Sequence, residues 1–338
     1  MTSRTIRRLS TAKSVSAKFF LDTCTLADVV KSKEKDNRIR KLVSVEGSTS
    51  VFAAMQIMLQ KEVNTIVLYR TKGDSKKKIY FGMVNTVDLV YWFAWKQLKT
   101  DSEQIPISEL AGVTEETKNF WTYPVAQHLD SVVQPFMQGI HAIIARRLHS
   151  KIRTIFVSQW DVVKFIHSTI TIVTRQNDFF ETTLKNSGIL GRTQKPMSIE
   201  SSSPVTKGFE MMSKMSFTGI AVVDEDGKLV SSLKSSHARQ LFNKDLEKKF
   251  AEESVAAFLK RIGEPFGEKT LQNVVDENFT IEEMFKLVVD QHEHRVWILD
   301  ESSRPRHIIT LSDMIKETAL RDFYKDFDDS SSGTSESS

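Results

Sequence analysis

A single cysteine in 338 residues sets the first limit on this chain. Cys24 alone can close no internal disulfide and cannot build a multi-cysteine zinc site, which fits a reducing, cytoplasmic or nuclear compartment. It reads as a small packed residue rather than a nucleophile. Long apolar runs are also missing. None approaches the ~20 residues of a membrane-spanning helix, so no membrane partner is expected. The net charge is only +4 and no long basic stripe occurs, so nucleic-acid binding is not indicated. No G-x-S-x-G, P-loop, H-E-x-x-H or dinucleotide fingerprint is present, and no catalysis is expected. His292 and His294 would share a face of an extended strand, but two histidines without a third ligand make a weak metal site, and no metal is expected.

What the chain does have is a repeat. Residues 291–313 read Q-H-E-H-R-V-W-I-L-D-E-S-S-R-P-R-H-I-I-T-L-S-D. Arg295 to Leu299 suits a buried strand, Asp300 to Pro305 a turn, His307 to Thr310 a second strand, and Leu311 to Asp313 a helix start. Thr310 and Asp313 thus stand i, i+3 at a helix N-terminus, where free backbone N–H groups favour anions and a carboxylate can accept two ribose hydroxyls. His294 and Arg295 offer phosphate donors on the neighbouring strand. Strand-to-helix blocks of the same form end at Asp88, at Asp161 and, with histidine in place of the acid, at His237. From Asp88 to Asp161, on to His237 and on to Asp313 the intervals are 73, 76 and 76 residues.

The organisation expected from this pattern has six parts. A basic, disordered leader covers residues 1–24; it has the composition of a mitochondrial presequence, and Arg7-Arg8-Leu9-Ser10 has the form of a kinase site. Repeats cover residues 25–98, 120–170, 190–245 and 268–321, and a disordered acidic and Ser-rich tail covers 322–338. Each repeat runs strand, helix, strand, strand, helix. Leu26 to Leu42 reads as a helix leading into the first repeat. Ser48 to Ser50 cap a helix over Val51 to Leu59, Leu129 to Met137 form a helix that Pro135 distorts or shortens, and Ser203-Pro204 start another. Phe165 to Leu184 is expected to be a helical link and Asp245 to Gly267 a charged helical spacer. Thr280 and Glu283 form a capping box. Arg146, Arg147, His149, Lys151 and Arg153 crowd one turn, where the plain reading is a solvated cluster.

With four such units the chain resembles the cystathionine-β-synthase (CBS) domain family, over roughly Thr25 to Arg321. The sharpest matches are His294-Arg295-Val296, Thr310-Leu311-Ser312-Asp313 and Gly139-Ile140-His141. The resemblance implies an α+β fold of four tandem β-α-β-β-α repeats forming two Bateman modules packed as a disc. Four-repeat members include the gamma regulatory subunit of AMP-activated and sucrose-non-fermenting-type kinases, and plant gamma-like proteins look similar. The function so implied is a non-catalytic sensor of AMP, ADP and ATP, held by a kinase catalytic (alpha) subunit and a beta subunit. Carried over by position, Asp88, Asp161 and Asp313 would bind ribose, Ser158, Thr310 and Ser312 would neighbour them, and His141, His294 and Arg295 would contact phosphate. The chain departs from the family pattern at His237, Asp161, Ala142, Asn64 and Gly219, so the occupied clefts would differ. A CBS scaffold without nucleotide exchange, and a module for another adenosyl ligand, are the alternatives. For each aspartate the plain reading is a carboxylate that caps a helix and answers its dipole.

Overall fold

The computed structural model describes residues 17–73, 77–96, 104–148, 154–173, 179–242, 253–267 and 271–319. Most of the expected leader, the kinase-like site at Ser10, the tail, and His149, Lys151 and Arg153 lie outside them. The leader reading needs correction at its end. Helix α1 (Ala17–Thr23) is followed directly by α2 (Leu26–Lys35), and Phe20, Leu21 and Cys24 are buried in a core cluster. Three buried apolar side chains in eight residues explain why this stretch folds.

The first repeat is β1 (Ser44–Glu46), α3 (Val51–Gln60), β2 (Thr65–Lys72), β3 (Lys77–Asn85) and α4 (Thr86–Lys96). The second is β4 (Thr122–Pro124), α5 (Leu129–Met137), β5 (Ala142–Arg146), β6 (Thr154–Ser158) and α6 (Gln159–Val173). After α7 (Leu184–Ser187) and α8 (Ile189–Arg192) comes the third: β7 (Ser198–Glu200), α9 (Val205–Met215), β8 (Gly219–Val223), β9 (Leu229–Lys234) and a 3-10 helix, Ser235–Phe242. Helix α10 (Val255–Arg261) precedes the fourth: β10 (Val274–Val275), α11 (Ile281–Asp290), β11 (Arg295–Leu299), β12 (Pro305–Thr310) and α12, residues 311–319.

Each repeat makes its own three-stranded sheet, with the first strand parallel to the second and the second antiparallel to the third. The same order recurs in the third and fourth repeats. Local chemistry sets the helix starts. The Ser50 hydroxyl accepts from Ala53 N at 3.2 Å, and Thr280 and Glu283 close the expected capping box. Pro135 sits inside α5, which stops two residues later at Met137. Proline removes only the N–H that would bond back to Ser131, so the helix keeps its full expected span, and Gly139, at φ 92°, turns the chain after it.

Two core clusters join the repeats in pairs that the sequence does not announce. One cluster merges the second and fourth repeats, the other the first and third. Phe93 meets Phe209 edge-on across the first–third contact, with ring centres 6.2 Å apart. Trp160 Nε1 donates to the Val288 carbonyl across the second–fourth contact. Between the third and fourth repeats the sheets themselves meet. Trp297 is fully buried with Ala221 and Leu229, and its Nε1 donates to Ser232 Oγ at 3.0 Å.

The segments before and between the repeats are exchanged within each half. Residues 24–27 bind the start of α5: Leu26 N donates to Gln127 O, and Leu129 N to Cys24 O. Residues 105–108 instead bind the start of α3, through Val51 N to Ile105 O and Ile107 N to Thr49 O. In the other half, residues 180–185 dock on the start of α11 and residues 253–256 on the start of α9. The helix expected to lead into the first repeat therefore ends at Lys35 and packs on the second. Asn37, at φ 53°, turns the chain after it.

Candidate functional site

The four blocks picked out by their spacing place one side chain each at an equivalent point, the third residue of the helix that follows the last strand. In each, the backbone N–H of the strand's final residue donates to that side chain. The bonds are Asn85 N to Asp88 Oδ2 (2.8 Å), Ser158 N to Asp161 Oδ2 (2.9 Å), Lys234 N to His237 Nδ1 (3.2 Å) and Thr310 N to Asp313 Oδ2 (2.8 Å). This is one half of a capping box, and it occupies one carboxylate oxygen of each aspartate. His237 replaces the acid because a neutral ring nitrogen accepts the same bond.

What meets the remaining atom differs from repeat to repeat, and the exchanged segments supply it. At Asp88 the hydroxyls of Thr114 and Thr117 both donate to Oδ1, at 2.6 and 2.7 Å. Asp88 is fully buried, and burial pushes its carboxyl up to about 7 against the pull of those bonds and with help from Glu116. At Asp161, Lys33 Nζ bonds Oδ2 at 2.8 Å and Arg38 Nη1 bonds Oδ1, both carried by the segment around α2. Burial alone would raise Asp161, but Lys33 and Arg38 outweigh it and hold the group below its ordinary value. The Arg38 guanidinium also lies over Trp160, on which the ring of His292 stacks with centres 4.5 Å apart. At His237 the Glu264 carboxylate stands 3.1 Å from Nε2 and 3.2 Å from Lys234 Nζ. Its bond with His237 brings Glu264 down to about 2.

Asp313 is the exception. Thr310 N and Oγ1 both serve Oδ2, the latter at 2.6 Å. Among the described residues no donor is bonded to Oδ1. The carboxylate lines a shallow hollow with Ile189, Arg192, Thr193, Lys316 and Glu317. Enclosure raises its affinity for a proton, opposed by Thr310 and Lys316. Arg192 arrives on the exchanged segment of its half, but its guanidinium is drawn to Glu317 (Nη2 to Oε2, 2.6 Å) rather than to Asp313.

A second set of groups gathers between the repeats. His141 Nδ1 is 2.8 Å from Glu116 Oε2, and His141 N donates to Oε1 at 3.1 Å. Enclosure would lower the His141 pKa, but Glu116 outweighs it and the nearby Arg295 charge, so the ring is held above its ordinary value. His294 is pulled the other way by enclosure, Arg295, His141 and Lys234. Both rings sit deep among protein atoms yet keep solvent-accessible surface, the His141 side chain 35% of it. Arg295 lies beside them and is itself buried. Its Nη2 donates to Thr218 O at 3.1 Å, while Nη1 is enclosed without a hydrogen-bond partner and no carboxylate pairs with it among the described residues. A Cβ on Gly219 would sit 1.2 Å from that Nη1, so only glycine leaves room for the guanidinium.

The sequence-derived residues therefore divide. His141, His294 and Arg295 share one electrostatic neighbourhood, and Lys234 belongs with them. The expectation that Asp313 and Arg295 serve one hollow is corrected: the Arg295 head turns across β8 of the third repeat and does not line the Asp313 hollow. Asp88 and Asp161 are buried, and each of their carboxylate oxygens already accepts a bond from the chain itself. Ser158 bonds Asp161, and Ser312 Oγ accepts from Gln159 Nε2 at 2.8 Å in the second–fourth contact. Thr114, Glu116, Thr117, Lys33, Arg38, Arg192 and Glu264 were not found from sequence. Their only signal is opposite charge or a hydroxyl beside a target up to 128 residues away. Among the described residues no helix is long and apolar enough to cross a membrane, and no three His, Cys, Asp or Glu side chains are grouped to hold a metal ion.

The geometry can be set beside known proteins. Three stretches match the CBS domain profile: residues 38–94, 190–237 and 273–319. The second repeat escapes the match but has the same strand and helix order. Protein SDS24 of Saccharomyces cerevisiae is 23% identical over 282 residues, covering 77% of this chain and 53% of its own. The chain thus spans about half the length of the curated relatives it matches. Among solved structures, protein MJ1225 of Methanocaldococcus jannaschii, proposed as an archaeal homologue of γ-AMPK, superposes with a TM-score of 0.61 at 15% identity, over 82% of this chain and 96% of that one. That likeness is one of fold. Three of the four copies of one β-α-β-β-α unit thus match the CBS domain, and the remaining copy shares their fold.

Proposed function

We propose that the chain is a non-catalytic regulatory module that binds an adenine nucleotide (AMP, ADP or ATP), taking the ribose at Asp313. The observation that carries this reading is the open Oδ1 of Asp313. At the equivalent aspartates, Asp88 and Asp161, the chain itself bonds both carboxylate oxygens, and at Asp313 it leaves a half-bonded carboxylate in a hollow. A ribose diol supplies the two donors such an oxygen accepts. His141, His294, Arg295 and Lys234 give the interior between the repeats a positive field suited to phosphate. The His294 carbonyl accepts from Leu311 N at 3.3 Å, so this residue borders the N-terminus that carries Asp313. That MJ1225 has been proposed as a γ-AMPK homologue supports a finer reading: nucleotide binding biases a bound protein kinase through its catalytic and beta subunits. Only a difference in nucleotide affinity between two arrangements of the module could do so.

Calorimetry on the purified chain tests the reading. AMP or ATP is expected to bind in the micromolar range, with Asp313→Ala weakening it at least tenfold, about the worth of one charged hydrogen-bond acceptor. Absence of binding at millimolar nucleotide would reject the sensor and leave a CBS scaffold. Recovery of kinase catalytic and beta subunits with the tagged chain would support the finer reading, and their absence under conditions that retain nucleotide would reject it.

A further inference from the structure

The segment between the first two repeats does more than connect them. Gly112, at φ +82°, and the bond from its N–H to Thr117 Oγ1 (3.1 Å) begin a tight loop, which Lys118 N to Thr114 O closes. Thr114 and Thr117 then fasten the loop to Asp88 from both sides of Glu116. Glu116 is 8% exposed, and both of its oxygens are spent on His141, one on the ring and one on the backbone N–H. A buried carboxylate fixed at both oxygens dictates which ring nitrogen carries the proton. Nδ1 donates to Glu116, and Nε2 is left as the ring's other nitrogen.

We propose that Glu116 is a positioning residue that holds His141 as a cationic donor for an anionic ligand, and that Asp88 is the anchor of the loop delivering it rather than a ribose ligand. The charged groups facing His141 are Glu116 from the loop, Arg295 from β11 and His294 beside it. Arg295 and enclosure favour the neutral ring, and Glu116 alone opposes them. Removing Glu116 therefore changes the charge of His141 and not only its orientation. The two threonines touch neither His141 nor any proposed ligand, yet releasing them from Asp88 frees the loop and should have the same effect. The assignment of His141 to a nucleotide rests on the function proposed above; the loop's control of His141 does not.

The experiment is an NMR titration of the histidine rings in the full chain without ligand, with the His141 signal identified by its loss in His141→Gln. The wild-type ring is expected to titrate above the ordinary histidine value. In Glu116→Gln the midpoint falls below that value, in Thr114→Val/Thr117→Val it moves the same way, and Glu116→Asp retains part of the upward displacement. An unmoved midpoint in Glu116→Gln, or in a double threonine variant that keeps the wild-type amide spectrum elsewhere, overturns the proposal. A double variant that does not fold leaves the decision to the Glu116→Gln and Glu116→Asp pair. With AMP as the probe, wild-type affinity should fall as pH rises through the His141 midpoint, and Glu116→Gln should bind about tenfold more weakly at neutral pH with a flatter profile. If the wild type binds no AMP, the nucleotide reading fails while the ligand-free titration still decides the role of the loop.

Discussion

Arg295 and Gly219 form a pair that neither residue explains alone. The guanidinium of one repeat fills the space where the other would carry a Cβ, and it is buried with one nitrogen unpaired. Gly219→Ala should destabilise the chain by about 1–3 kcal/mol through overpacking, and Arg295→Met should recover much of that loss. Additive losses in urea denaturation of the double variant would show that the two sites do not meet. Asp88 makes a pH prediction. Its folded pKa of about 7 lies above its unfolded value, so the native chain binds the extra proton between the two. Stability from this group is present below the unfolded value and is lost as pH rises to about 7. The stability of the wild type relative to Asp88→Asn should therefore fall by a few kcal/mol from pH 4 to pH 7 and stay level above. A wild type that holds or gains stability relative to Asp88→Asn over that range would refute the burial argument. The sequence made Asp88 legible as a helix-capping acid, because position i+3 after a strand is a local rule. Its burial under Thr114 and Thr117 was not legible, since nothing local requires a connector to fold back.

Helices and strands followed their sequence signals closely where the signal was periodic. Arg295–Leu299, Leu129–Met137 and the Thr280 cap all fall where apolar spacing and capping residues put them. The lead-in helix is different: its existence was legible but its docking was not. Leu26, Val29 and Val30 are buried against the second repeat, and Lys33 and Arg38 reach Asp161 there. Removing a partner from a buried ion pair costs about 3–5 kcal/mol, so Lys33→Met with Arg38→Met should destabilise strongly, and Asp161→Asn in that background should recover part of the loss. Deleting residues 1–36 should strip amide protection from α5 and β4 to β6 while α3 and β1 to β3 keep theirs, as read by hydrogen exchange. Loss confined to the first repeat would contradict the exchange of segments. Adjacent sequence is a poor guide here because the docking bonds are strand-like pairings across a hundred residues, with no side-chain pattern to mark them.

Across the molecule, four copies of one unit meet in two kinds of contact, helix to helix for first with third and second with fourth, and sheet to sheet for third with fourth. The near-equal spacing of Asp88, Asp161, His237 and Asp313 made the repeat legible. The pairing was not, because the same amphipathic helices could satisfy one another in several orders. Its consequence is that His141 from the second repeat, Lys234 from the third, and His294 and Arg295 from the fourth share one electrostatic neighbourhood. A bound phosphate there would link three repeats, whereas the ribose at Asp313 would touch mainly the fourth and the segment carrying Arg192. Ligand that binds only the native chain stabilises it by about 2.7 kcal/mol at a hundred times its dissociation constant. If the phosphate lies in this neighbourhood, AMP should slow hydrogen exchange at the ends of β5, β9 and β11 together. Adenosine, with the same ribose and no phosphate, should slow it only around residues 189–193 and 311–319. Equal protection by the two ligands would place the whole nucleotide in the Asp313 hollow and remove the interior histidines from its site.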